Sequence, residues 1–280
     1  MSEFISSYHE KVRRYYDANA GREYQRLFQD QYHQVEYLVT LHYLDTYLPE
    51  TGRILDAGSG PGRYAVYLAN RGYQLSLVDI SPNALTIAQE VMREEGLINK
   101  VEDFTEASIT NLSNYHSNSF DAVVSLGGPL SHVFDSSERE KAVGELVRVA
   151  KPGAPIFISV MNRYTQLANI IKYTPEDAEQ IFDFLRDGNH LHPETGVFTY
   201  THFFTLEELS ELVLLHDVKV ENIVVVEGLA SLLKGDVNGL PEDLFNKWVE
   251  VFIKLSSEPS LIGASTHLLG IVRKRLSYGV

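Results

Sequence analysis

Strand-like and helical segments alternate along most of this chain, and several strands are apolar at nearly every position. Ile54-Leu55, Ala122-Val123-Val124 and Pro155-Ile156-Phe157-Ile158 leave no polar face for solvent. A strand of that kind must be covered on both sides, which requires helices packed on either face of a mostly parallel sheet. The pattern predicts strands over 53–57, 74–78, 101–104, 120–126, 154–160, 218–227 and 268–273. Helices are expected between them. Ser81-Pro82 suits a helix start, Ser137 with Glu140 reads as a capping box, and so does Thr205 with Glu208. Two helices are expected within residues 1–50, separated by the tyrosine-rich stretch 15–24.

The elements outside the alternation are separate excursions from one sheet, so residues 1–280 read as a single domain. The first 50 residues and the insertions 162–204 and 228–262 are expected to form a cap over the active site; the alternative is helices packed at the sheet edges. The charge balance is 24 − 38 = −14, which weighs against indiscriminate binding to a phosphate backbone. There is no cysteine, so disulfides, thiol nucleophiles and thiolate metal sites are excluded. No apolar run approaches the roughly 18 residues of a membrane span, and the first residues lack the basic start and apolar run of a signal peptide. A cytoplasmic protein with no membrane partner is expected.

The sharpest local signal is Asp56-Ala57-Gly58-Ser59-Gly60-Pro61-Gly62, between a strand and a helix. Glycines there let the backbone turn tightly and approach a ligand. The spacing is not G-x-G-x-x-G, because position 63 is Arg, and no G-K-[ST] follows. Asp56 beside the turn disfavours a pyrophosphate and favours a cationic ligand. Asp79 ends the next strand, 79 − 56 = 23 residues on, where a carboxylate can take the two hydroxyls of a ribose.

Residues 53–80 resemble the first motif and following acidic strand of the class I S-adenosylmethionine-dependent methyltransferases of small-molecule type. Asp56 matches the leading acid, Gly58, Gly60 and Gly62 the glycines, and Asp79, followed by Ile80, the ribose-binding acid. Glu106-Ala107 falls where such enzymes often place an acid near the adenine amine, and Lys151-Pro152-Gly153 resembles the turn before the fifth strand. The resemblance implies a Rossmann-like seven-stranded, mostly parallel sheet with a final antiparallel strand. It also implies S-adenosyl-L-methionine as cofactor, bound across the carboxyl ends of the first strands by Asp56, Gly58, Ser59, Gly60, Gly62, Asp79, Ile80, Glu106, Ala107, Leu126 and Gly127. Similar small-molecule enzymes place a tyrosine-rich amino-terminal helix over the cofactor. Tyr16 and Arg22 are the candidates here, Arg22 for the cofactor carboxylate.

Beyond the cofactor, Leu126-Gly127-Gly128-Pro129-Leu130-Ser131-His132 follows the fourth strand and faces the expected crevice. It is not the Asn/Asp-Pro-Pro-aromatic segment that holds a flipped base, so nucleic acid is not expected as a partner. His132 is a candidate proton acceptor. Tyr200 and His202 precede a well-capped helix and are candidates for substrate contact. Tyr16, His132 and His202 are expected to meet in one pocket as the catalytic group. No metal site is expected: His190-x-His192 is a weak spacing and there is no HExxH. The function expected is methyl transfer to a small-molecule acceptor. An RNA or protein methyltransferase and a non-catalytic cofactor-binding regulator are the alternatives, the glycine spacing weighs against a nicotinamide oxidoreductase, and a homodimer is compatible with the sequence.

Overall fold

The computed structural model describes residues 2–190 and 198–276, with side chains from residue 8 onward. His192 lies outside the described residues. The strands are β1 (Arg53–Ala57), β2 (Gln74–Asp79), β3 (Val101–Glu106), β4 (Ala122–Ser125), β5 (Pro155–Met161), β6 (Val218–Val225) and β7 (His267–Lys274). They form one seven-stranded sheet in the order β3-β2-β1-β4-β5-β7-β6. Neighbours among β1 to β5 pair in parallel, and β7 runs antiparallel to both β5 and β6. The order reverses between β1 and β4, where the carboxyl ends of an open sheet part to leave a crevice.

Alternate residues of each strand point to opposite faces, which explains the unbroken apolar runs. Ile54, Val124 and Phe157 enter the core on one face, with α2 (Gln31–Tyr47), α3 (Arg63–Asn70), α4 (Pro82–Glu94) and α10 (Glu242–Leu255). Leu55, Val123 and Ile156 enter the other, under α5 (Ser136–Val149) and α8 (Leu206–Leu214). The remaining helices are α1 (Ser2–Arg26), α6 (Arg163–Tyr173), α7 (Ile181–Asp187) and α9 (Lys234–Asn238).

Helix starts follow the expected chemistry in part. The Ser81 side chain caps α4 by accepting from the Ala84 amide at 3.0 Å, with Pro82 in the first turn. Thr205 and Glu208 form a reciprocal capping box on α8. At α5 the cap is Asp135, which accepts from the amides of Ser137 and Glu138; Ser137 is already inside the helix. The tyrosine-rich stretch 15–24 is not a break between helices, because α1 runs through it to Arg26 and the chain reverses before the Asp30 cap of α2. Residues 228–262 do not form a lid. The residues of this insertion are absent from the cavity wall described below, and α10 packs on α2.

Candidate active site

The turn after β1 is held by main-chain bonds. The Gly58 and Ser59 amides donate to the Val78 carbonyl at 2.7 and 2.9 Å. Gly58 has φ 83°, and a Cβ there would lie 2.3 Å from Pro129 Cγ, so no other residue fits. Gly60 has φ 53° and its Cβ direction meets nothing within 4 Å. It therefore presents bare backbone to open space. Asp79 fastens the turn from below: Oδ2 accepts from the Gly60 amide and Oδ1 from the Ser81 amide, both at 2.8 Å. Burial pushes the Asp79 carboxyl up, and the amides of Ser81, Gly60 and Ile80 oppose that shift.

These groups line a cavity of about 720 Å³ at the carboxyl edge of the sheet. Its near end is walled by Gly58, Ser59, Gly60, Asp79 and Ile80, with Ala107, Ile109, Leu126 and Gly127 completing it. A nucleoside with a short charged tail fits this surface. Bare glycine backbone admits close approach, a carboxylate offers acceptors for sugar hydroxyls, and apolar side chains flank a flat base.

Three expected cofactor residues sit elsewhere. Asp56 is buried away from the cavity wall, its Oδ2 has no partner, and burial followed by the nearby Asp79 pushes its carboxyl up to about 7. Gly62 begins α3, close against Ala88 of α4. Glu106 is exposed at the end of β3 and off the wall, whereas Ala107 and Ser108 line it. Arg22 lines the cavity from an exposed position on α1.

Helix α1 crosses this end and is fastened at two points. Asp17 Oδ1 accepts from Ser81 Oγ at 2.7 Å and from the Asn83 amide at 3.0 Å, at the start of α4. Tyr16 Oη lies 2.5 Å from His132 Nε2. His132 Nδ1 lies 3.1 Å from the Tyr200 carbonyl, which can only accept, so Nδ1 carries the hydrogen and Nε2 accepts from the Tyr16 hydroxyl. Burial lowers His132 to about 4, and burial raises Tyr16 well above its ordinary value. The pair is thus neutral at physiological pH, with its lone pair already engaged.

His202 does not join it. The expected meeting of Tyr16, His132 and His202 is realised for the first two alone. His202 is buried off the cavity wall, with its amide donating to the Ser131 carbonyl at 2.7 Å, Nδ1 3.1 Å from Asn189 Oδ1 and Nε2 3.7 Å from Glu208. The Tyr200 side chain also faces away, taking a hydrogen bond from Lys11 Nζ at 3.0 Å and packing on Tyr8 and Phe134. Both residues hold the insertion against the Pro129–His132 turn. Helix α6 and the residues after it do reach the cavity, through Asn162, Thr165, Asn169, Tyr173 and His190.

The same cavity holds a charged group that sequence reasoning missed, and its Arg26 guanidinium lies against Gly127, 3.4 Å from where a Cβ there would stand. Arg26 donates to both oxygens of Glu36, at 2.5 and 2.9 Å. Glu227 accepts from His267 Nδ1 at 2.5 Å, from the His267 amide at 2.9 Å and from Ser265 Oγ at 3.0 Å. His267 Nδ1 is 3.8 Å from Glu36. All four residues line the cavity. Burial disfavours charge on Glu36, but Arg26 and then His267 overcome it and hold the carboxyl well below the usual range. Burial disfavours protonated His267 as well, and Glu227 and Glu36 overcome that, so its pKa is raised. A position signal existed: Glu227 lies two residues beyond β6 and His267 opens β7, which puts both at the carboxyl edge. Donor atoms of Glu36, Glu227 and His267 lie within 4.8 Å of one another, a spacing a cation also uses. Here the guanidinium, imidazole, amide and hydroxyl partners already satisfy the two carboxylates.

Residues 54–153 match a family model described as a methyltransferase domain. A ubiquinone biosynthesis O-methyltransferase of Thiobacillus denitrificans is 30% identical over 187 residues, covering 66% of this chain and 73% of that protein. A 2-heptyl-1-hydroxyquinolin-4(1H)-one methyltransferase of Mycobacteroides abscessus is 33% identical over 112 residues, 40% of this chain and 47% of that protein. A solved S-adenosylmethionine-dependent methyltransferase from Methanosarcina mazei superposes with a TM-score of 0.59 at 26% identity, covering 84% of this chain and 98% of that one. No described helix is long and apolar enough to cross a membrane.

Proposed function

We propose a substrate class on the premise that this chain belongs to the class I S-adenosylmethionine-dependent methyltransferases and has their activity: its acceptor is a small molecule held in the far half of the same cavity. The observation that carries this reading is the cavity itself. Its wall joins the glycine turn and α1 to Glu227 and His267, and its about 720 Å³ exceed what one wall of nucleoside contacts needs. The net charge of −14 and the α1 covering argue against a nucleic-acid or protein acceptor. Relatives named for ubiquinone biosynthesis and for a 2-heptyl-1-hydroxyquinolin-4(1H)-one support a small-molecule acceptor.

The bound cofactor supplies a sulfonium-activated methyl group, which needs no covalent enzyme intermediate. The chain's own task is placement. Asp79 holds the ribose hydroxyls, Gly58 and Gly60 give backbone room, and Ile80, Ile109 and Leu126 flank the base. Residues 8–26 of α1 and the described part of 162–204 act as a cap that excludes water. Tyr16 closes that cap through His132 and adds no charge, and Arg22 at the mouth meets the cofactor carboxylate. The test is a transfer screen with methyl-labelled cofactor against a metabolite extract, sorted by mass. Label in a low-mass product supports the reading, and label confined to protein or RNA overturns it.

A further inference from the structure

The Glu227–His267 pair lies outside the roles assigned so far. His267 is buried and lines the cavity. Nδ1 is committed to Glu227 Oε1, so the neutral ring carries its hydrogen on Nδ1 and leaves the Nε2 lone pair free. Nε2 has no hydrogen-bond partner among the described residues. Glu227 cannot swing away, because its other oxygen is fixed by the His267 amide and Ser265 Oγ. In the sheet, His267 is paired with Met161, the last residue of β5 and itself part of the cavity wall. An imidazole on a cavity wall, with one nitrogen oriented by a buried carboxylate and the other without a partner among the described residues, has the geometry of a general base.

Resting on the small-molecule reading of this cavity, we propose that His267 Nε2 is the proton acceptor of the reaction and that the methyl acceptor is a hydroxyl compound, phenolic or enolic. A neutral amine attacks through its lone pair and sheds a proton afterwards. A hydroxyl is a poor nucleophile until its proton leaves, so a positioned base is of use chiefly to oxygen. In the step, an oxygen lone pair forms the O–CH3 bond and the C–S pair stays on sulfur. The O–H proton passes to Nε2 and later to solvent. Nδ1–H remains on Glu227, which is a positioning residue, and the imidazolium formed is balanced by the two carboxylates.

The groups that face His267 set the pH at which it works. Glu227 and Glu36 favour its charged form, while burial and Arg26 oppose it; Tyr32 and His33 of α2 and His132 complete the titratable surroundings. The balance lies toward a raised pKa. His267 is therefore free to accept a proton above, not below, the ordinary imidazole value of about 6.5.

Two measurements test this. The first follows methyl transfer to the product found in the screen, from pH 5.5 to 9.5. The wild type is expected to show an acid limb above about 6.5, and Glu227→Gln to move that limb downward. His267→Asn is expected to lose about 100-fold or more in kcat, with cofactor affinity by titration within about twofold of wild type. Retained kcat in folded His267→Asn, or an unmoved limb in Glu227→Gln, overturns the proposal. So does transfer to nitrogen or carbon. The second measurement needs no acceptor: nitrogen-15 histidine NMR of the protein with S-adenosylhomocysteine. His267 is expected as the Nδ1–H tautomer with a pKa above 6.5, lowered in Glu227→Gln. The Nε2–H tautomer, or a ring titrating as in a free peptide, overturns it. Absence of any low-mass labelled product counts against the small-molecule reading; loss of the limb shift counts against His267 alone.

Discussion

Replacing Asp79 with Ala removes one carboxylate that serves two purposes. In the free protein it leaves the amides of Gly60 and Ser81 without the acceptors they now have at 2.8 Å. Each unsatisfied buried amide costs about 1–3 kcal/mol. Two features reduce the sum. Gly60 borders open space, where water can replace the lost oxygen. Burial also pushes the Asp79 carboxyl up, so its removal relieves a desolvation cost. The expected loss of stability is about 2 kcal/mol, read as a lower urea midpoint of the ligand-free protein. In the complex the ribose hydroxyls lose a charged acceptor, worth about 1.5–3 kcal/mol, or roughly 10- to 100-fold in cofactor affinity by calorimetry. Asp79→Asn retains one oxygen for the turn and should lose less stability while still binding the cofactor more weakly. If Asp79→Ala keeps the wild-type midpoint, the bracing role is wrong. If it keeps wild-type affinity, the ribose assignment is wrong, and the two results are independent.

Other expectations follow from particular contacts. Asp56 has its carboxyl raised to about 7 in the folded chain against an ordinary 3.8, so its ionisation burdens the fold increasingly as pH rises through that interval. Asp56→Asn should therefore gain on the order of 1–3 kcal/mol over wild type at pH 8 and little at pH 4; equal urea-midpoint differences at both pH values would refute this. Tyr16→Phe loses the bond to His132 while keeping the ring, a change of about 1 kcal/mol that should speed cofactor release about fivefold in stopped flow. Asp17→Ala frees α1 from the Ser81 hydroxyl and Asn83 amide, and hydrogen exchange over residues 9–26 should rise while β1 and β4 stay protected.

The sheet was legible because its signals are local. Ile54-Leu55 and Val123-Val124 advertise burial on both faces, and Gly58-x-Gly60 marks a turn whose Gly58 no other residue type fits. Ser81 and Thr205 named their helices for the same reason, since a cap acts within one turn. The far end of the site was hidden because it is assembled from distant segments. Arg26, Glu36, Glu227 and His267 come from α1, α2, the loop after β6 and the start of β7, and nothing in their local spacing relates them. Arg22 and Arg26 occupy successive turns of α1, and only tertiary packing decides which guanidinium turns inward to Glu36. His202 misled for a similar reason: its place just before a capped helix does not fix what its side chain meets, which here is Glu208 and Asn189. The insertion 228–262 was placed by its position in the chain, but its amphipathic α10 found its apolar partner in α2.

The central claim is that one cavity holds the cofactor at the glycine turn and a small acceptor at the Glu227–His267 end, with the transferring methyl between them. A crystal structure of the protein with S-adenosylhomocysteine tests it most directly. The account predicts the ribose hydroxyls on Asp79, the adenine between Ile80 and Ile109, and the sulfur facing an open passage toward Met161 and His267. A homocysteine tail that fills that passage, or a sulfur that faces bulk solvent instead, would contradict it.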